Sequence, residues 1–217
     1  MSIFLKIDNE WVKVPSNDKL VFVIRPGAGT FRNRKAYEKL ESRYKVVYFA
    51  ETGGQYDNYP DNWENNANVS SRGNHLGGIV ELVKKYIEKT NLIPGVIITG
   101  SRGGQVTLGK IWQGLWRGPT IIINAGCLTT NTPIPKEVIP LFITMGNDYF
   151  KTVNTIEKIL SKVQFTKRLK CIHLKDHGHM PDLNTDYVSL LLDSVDFSLD
   201  KIKIESTNTN DIEVYCR

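Results

Sequence analysis

The run VIITGSRGGQVTLGKIWQ (96–113) carries a lone serine, Ser101, into a glycine-rich turn. A serine hydroxyl is a weak nucleophile until a neighbouring base removes its proton. Further along stand an acid, Asp148 in MGNDYF, and two histidines, His177 and His179 in KDHGHM. Serine, carboxylate and imidazole together suit acyl transfer: the hydroxyl attacks, the imidazole moves the proton, and the carboxylate orients the ring. A turn of the Gly-Ser-Arg-Gly-Gly kind also suits phosphate binding, and it suits a tight corner with no chemistry at all.

The apolar run before the turn, Val96-Ile97-Ile98 with Thr99, predicts a buried strand, and the pattern after it predicts a helix. A strand that turns sharply into a helix lifts the intervening side chain clear of the sheet. Small residues on either side let strand and helix approach; here Thr99 precedes, and Gly103 and Gly104 follow. The first turn of the helix aims free backbone N–H groups at the same place. The amide of Arg102 is therefore a candidate donor to a developing oxyanion.

The elements that must position these residues follow from short β-branched runs. Residues 2–7 and 10–14 read as a hairpin. Strands are expected at 20–24, 45–49, 95–99, 120–125, 140–145 and 169–174, and helices near 31–43, 74–90, 103–116, 152–164 and 185–203. Continuous apolarity predicts strands covered on both faces. Their alternation with helices predicts an α/β three-layer sandwich around a mostly parallel sheet, with the N-terminal antiparallel hairpin added. Residues 1–217 are expected to form one domain. The stretch 204–217 is either a frayed tail or one added edge strand. Functional groups in open α/β sheets gather beyond the carboxyl ends of the strands. Pro26-Gly27-Ala28-Gly29, Ser101, Asp148 and His177/His179 all follow expected strands.

Composition narrows the classes. The 217 residues, 41% apolar, suffice for one sizeable core. No apolar run approaches the ~18 residues that a membrane span needs, and no export signal is apparent at the N-terminus. Three cysteines (Cys127, Cys171, Cys216) with no CxxC pair favour a reducing, cytoplasmic setting over a disulfide framework or a cysteine zinc site. The net charge of +5 is dispersed, with clusters only at 32–35 and 167–170. No nucleic-acid motif accompanies them, so a nucleic-acid partner is not expected. Nothing in the composition sets the oligomeric state.

Thr99-Gly100-Ser101-Arg102-Gly103-Gly104 resembles the nucleophile elbow of the α/β-hydrolase family, over roughly residues 18–203. The resemblance implies a triad in the order Ser101, Asp148, His179, with His177 the runner-up base. Gly178-His179 before Met180-Pro181 is the step more like the family loop. It also implies that Ala28, in the family's oxyanion loop, supplies the second donor beside Arg102. Two positions depart from the pattern: Thr99 replaces the usual first glycine, and Pro26 replaces the common histidine. Neither removes a reacting group. Some proteins of this fold serve as receptors or binding modules, so a non-catalytic use is the alternative.

Rival motifs are incomplete. Strand, Gly27-x-Gly29 and Glu51 suggest a dinucleotide site, but Arg32 stands where the third glycine belongs. Residues 104–110 fit G-x-x-x-x-G-K, yet Ile111 replaces the Ser or Thr that holds magnesium, and the match starts inside the expected helix. His177 and His179 lack further ligands for a metal. No cofactor or metal is expected.

The short span 126–139 leaves no room for a lid of the kind many members of the fold insert there. An open site suits a small soluble ester, thioester or amide. Residues 51–73 show no clear helix or strand, and loops of that length are often functional. Tyr56, Tyr59 and Trp63 within it are candidates for a pocket mouth; a solvated asparagine-rich excursion is the alternative. His173, alternating within a strand, and His75, near a helix start, read as structural. Trp112 and Trp116, four apart on the expected helix, read as core.

Overall fold

A computed structural model describes residues 2–24, 39–51, 64–66, 75–100, 103–104, 107–124, 134–145, 170–174, 185–199 and 212–216. The central sheet is built from β3 (Asn17–Ile24), β4 (Lys45–Glu51), β5 (Glu64–Asn66), β6 (Pro94–Gly100), β8 (Pro119–Ile123), β9 (Ile139–Met145), β10 (Lys170–Leu174) and β11 (Ile212–Cys216). Its order is β11-β10-β9-β8-β6-β3-β4-β5. Every neighbouring pair runs parallel except β10 and β11. The added edge strand expected as one option for 204–217 is therefore present at 212–216. Glu64–Asn66 also pairs with β4, so the segment read as lacking strand contributes a short one.

The apolar runs behave as double-sided strands must: all seven residues of β6 are buried. Alternation sends Phe22, Ile24, Phe49, Ile97, Ile122, Phe142 and Cys171 to one face. Val21, Val23, Tyr48, Ile98, Ile121, Ile143 and Ile172 go to the other. The first face is covered by α1 (His75–Thr90) through Leu82, Val83, Tyr86 and Ile87. Those positions recur at helical spacing, while Lys84 and Glu88 point outward and pair at 3.9 Å. Asn91, at φ 54, ends this helix in the left-handed conformation and returns its N–H to the Ile87 carbonyl at 2.8 Å. The second face is covered by Leu40 and Tyr44, and by Leu190, Leu192 and Val195 of α3 (Thr185–Ser198). Residues 39–41 close the helix expected near 31–43; 31–38 and the helix expected at 152–164 lie outside the described residues.

β1 (Ser2–Ile7) and β2 (Glu10–Pro15) form the expected hairpin. Its two-residue turn places Asp8 and Asn9 at φ 48 and 68, the geometry that matches strand twist. The hairpin does not join the central sheet. It pairs with β7 (Trp116–Arg117) in a separate three-stranded sheet, order β2-β1-β7. This corrects the helix expected over 103–116. Residues 103–104 are helical, Thr107–Ile111 form a π-helical turn, and α2 (Trp112–Gly114) ends before Leu115. Trp116 then pairs with Leu5 as strand. Both tryptophans are fully buried as expected, but from different elements. A side chain at Gly118 would come within 2.8 Å of Ile3 and 2.7 Å of Trp116, which explains the glycine beside this crossing. Arg117 fastens the small sheet: its guanidinium lies 3.8 Å over Trp11, Nε donates to the Trp112 carbonyl at 2.8 Å, and Nη1 meets Glu137 at 3.1 Å.

On the opposite face, Asp196 of α3 accepts from Arg43 at 3.1 Å and from the Tyr44 hydroxyl. Burial pushes the Tyr44 phenol above its ordinary value, and the hydrogen bond to Asp196 and that group's charge push it further. A phenol held neutral in the fold ionises first in the unfolded chain. Its contribution is therefore complete below about pH 10 and is lost as pH rises beyond. Urea midpoints are expected to fall above about pH 10, and Tyr44→Phe to remove part of that slope.

Candidate active site at the carboxyl rim of the sheet

The parallel strands that precede the candidate residues end close together. Ile24 of β3 pairs with Thr99 of β6, and Gly100 pairs with Ile123 of β8. Ile123 pairs with Ile143 of β9, and Met145 with Leu174 of β10. Ser101 follows Gly100 directly, Asp148 stands three residues past Met145, and His179 five past Leu174. The sheet thus delivers all three chain segments to one rim. Ala28, Ser101, Arg102, Asp148, His177 and His179 themselves lie outside the described residues, as do Tyr56, Tyr59 and Trp63.

Near the rim lie three buried polar side chains. Thr99, Asn124 and Thr144 are 1%, 2% and 3% exposed, although each follows or lies within an apolar run. Thr99 Oγ1 has no hydrogen-bond partner among the described residues. Its side chain occupies the space beside the turn that a glycine would leave open. Asn124, directly after β8, adopts φ 47 and donates its N–H to the Ile143 carbonyl at 2.8 Å. Non-glycine residues at positive φ are uncommon, and asparagine tolerates it best. Thr144 Oγ1 lies 2.9 Å from His173 Nδ1, across the β9–β10 pair. Sequence reasoning passed over Asn124 and Thr144. The signal was a lone polar residue at the end of a β-branched run, in TIIINA and PLFITM.

On the helix side of the turn, Gly103 and Gly104 are buried and helical, as the close approach of strand and helix requires. Thr107 Oγ1 donates back to the Gly103 carbonyl at 2.9 Å. Such back-bonding bends helices, and the π-helical turn begins at this residue. Single π turns occur often near functional sites.

A separate cleft of about 720 Å³ lies between the hairpin, α1 and Leu115, with Glu88, Asn91 and Ile93 on its wall. Asn91 and Ile93 precede the start of β6, so this cleft is at the end of the sheet opposite the rim. Among the described residues no three His, Cys, Asp or Glu are grouped to hold a metal. None of the helices among them is long and apolar enough to cross a membrane.

No protein-family model matches the chain, and no curated protein sequence matches it. Solved structures do. An α/β serine hydrolase homologue from Coxiella burnetii is 10% identical, with 94% of this chain and 97% of that one covered and a TM-score of 0.54. Est1E from Butyrivibrio proteoclasticus is 11% identical, with 92% and 98% covered and a TM-score of 0.55. A serine hydrolase without a lid from Xanthomonas campestris is 13% identical, with 93% and 94% covered and a TM-score of 0.54. At such identities the shared property is the arrangement of elements.

Proposed function

Because the chain has the α/β-hydrolase fold, we propose that it is a serine hydrolase that cleaves a small soluble ester or thioester, with an amide as a third substrate class. The observation that carries this reading is the common rim. The strands before Ala28, Ser101, Asp148 and His179 end along one edge of the sheet, with β8 between β6 and β9, in the registers given above.

Chain reach is compatible with His179 as the base, and the preference for it over His177 comes from the resemblance of the Gly178-His179 step. Neighbouring strands are about 4.8 Å apart, so β10 lies roughly 14 Å from β6 and β9 roughly 10 Å from it. An extended chain spans at most about 3.4 Å per residue. Three residues past Met145 reach about 10 Å, enough to bring Asp148 toward the elbow. Three residues past Leu174 also reach about 10 Å, and the imidazole adds roughly 5 Å, so reach alone admits His177 too. Five reach about 17 Å, which gives His179 the needed length with chain to spare.

In this reading Ser101 Oγ attacks the carbonyl carbon while His179 takes the hydroxyl proton. Asp148 holds the imidazole in its tautomer and stabilises the imidazolium. The amides of Ala28 and Arg102 receive the oxyanion, each contributing on the order of 3 kcal/mol. His179 protonates the leaving group as the tetrahedral intermediate collapses to an acyl-enzyme. Water, deprotonated by the same ring, then releases the acid and restores Ser101. The short span between β8 and β9 supports a lidless site. No step requires a cofactor.

A serine-directed fluorophosphonate probe tests the proposal. Labelling of the wild-type chain that disappears in Ser101→Ala is the expected result. Labelling that persists in that variant, or a wild-type chain that is never labelled, overturns it. The buried Thr99 beside the elbow favours the second reading, a binding protein on the same fold. That reading gains if the wild type is inert to the probe.

A further inference from the structure

We propose that Thr144 and His173 are a positioning pair that fixes the directions in which the chain leaves β9 and β10 toward Asp148 and His179. The inference rests on the hydrolase reading above.

The pair sits at a particular place. Thr144 and His173 are register partners, one residue before the ends of their strands, and Thr144 Oγ1 lies 2.9 Å from His173 Nδ1. Both belong to the face that carries Phe142 and Cys171, so the bond crosses between adjacent strands on one side of the sheet. Thr144 is 3% exposed and His173 only partly buried. Apolar residues, Phe142 and Cys171, fill this face one step below. A polar pair there needs another reason than packing.

Geometry supplies one. Four residues after Thr144 comes Asp148, and six after His173 comes His179. Strand ends fray when the last ladder bonds have no side-chain support, and any change in direction there is magnified along the following chain. A hydrogen bond between the penultimate residues ties the two exits to each other, whichever partner donates. The Asn124 N–H, bonded to the Ile143 carbonyl, extends the tie to β8. The elements that lead to the acid and to the base are thereby held in one unit. Thr144 and His173 both lie within their strands, two and three strands from β6, and are not assigned a contact with substrate. Their role is orientation of the residues that are.

The test uses the full-length chain in four single variants and one double. Thr144→Val removes the hydroxyl at constant shape, and Thr144→Ser keeps it. His173→Leu removes the ring nitrogen, and His173→Asn keeps a polar atom near the Nδ1 position. Measured on each are kcat and KM for a short-chain nitrophenyl ester, the rate of Ser101 labelling by a fluorophosphonate, and the thermal midpoint. Thr144→Val and His173→Leu are each expected to lower kcat and the labelling rate about tenfold at unchanged KM, less than the hundredfold that a 1 Å misplacement can cost. The double variant should lose no more than either single, because both remove one bond. Thr144→Ser and His173→Asn should stay within about threefold of wild type, since the bond persists.

The proposal is overturned if wild type labels and turns over while Thr144→Val and His173→Leu do the same at full rate. It is equally overturned if their loss of rate follows a loss of folded protein at the assay temperature, or if the serine and asparagine variants fail to restore the rate. A wild type that neither labels nor turns over rejects the hydrolase reading itself, and the pair's role with it.

Discussion

Ser101→Ala and His179→Ala are each expected to lower kcat on a nitrophenyl ester by on the order of 10⁵–10⁶, and the double variant by no more. The reason is that hydroxyl and imidazole act as one unit. Without the ring the hydroxyl keeps its proton; without the hydroxyl the ring has nothing to activate. What survives comes from oxyanion donors and substrate binding, which neither substitution touches. Asp148→Asn should cost less, about 10⁴, since the ring remains but its tautomer is wrong. His177→Ala is the internal control and should leave kcat near wild type. Steady-state kinetics on the four single variants and the double checks this pattern. A double variant far slower than either single, or His177→Ala as damaging as His179→Ala, would require a different machine.

The second large effect is on stability. Phe22, in the central strand β3, is fully buried, and its ring lies 4.8 Å from Phe49 and 5.4 Å from Tyr86. Phe49 and Tyr86 close the triangle at 5.8 Å. The contacts with Tyr86 are edge-on, the favourable arrangement for aromatic quadrupoles. This cluster fastens α1 to β3 and β4. Phe22→Ala removes the ring from both neighbours and leaves a cavity, at a cost of about 3–5 kcal/mol. Against a total stability of roughly 5–15 kcal/mol that is a large share. The thermal midpoint should drop by on the order of 10 °C. Val12→Ala, at a side chain 40% exposed in β2, should change stability by less than about 0.5 kcal/mol. Urea and thermal unfolding on both variants provide the comparison.

Much of the scaffold was legible in the sequence because a buried parallel strand leaves a simple trace. Runs such as VIIT and TIII are apolar at nearly every position, and they fall within β6 and β8. The order of strands was not so readable, since periodicity reports which residues are covered and not which strand lies beside which. The small second sheet escaped for a related reason. Trp112 and Trp116 at helical spacing suggested one continuous helix, but the helix stops at Gly114 and the hairpin edge offers Trp116 backbone partners. A tertiary contact outweighed local preference there. Glu64–Asn66 was missed because none of its three residue types favours a strand; it pairs with β4 at Phe49–Glu51. At the candidate site, Ser101, Asp148 and His179 stand out in the sequence only by type and order, and they lie outside the described residues. The contact between the strands before Asp148 and His179 was not legible: nothing in PLFITM or LKCIHL announces that the threonine of one meets the histidine of the other.

The antiparallel course of β11 has a consequence for the last of these strands. Without it β10 would be the border of the sheet, with one row of amides and carbonyls turned to water and available to any passing extended chain. With Ile212–Cys216 alongside, β10 is flanked on both sides. The strand that precedes the candidate base His179 is thus held by backbone ladders on both sides and is not the border along which another chain could add.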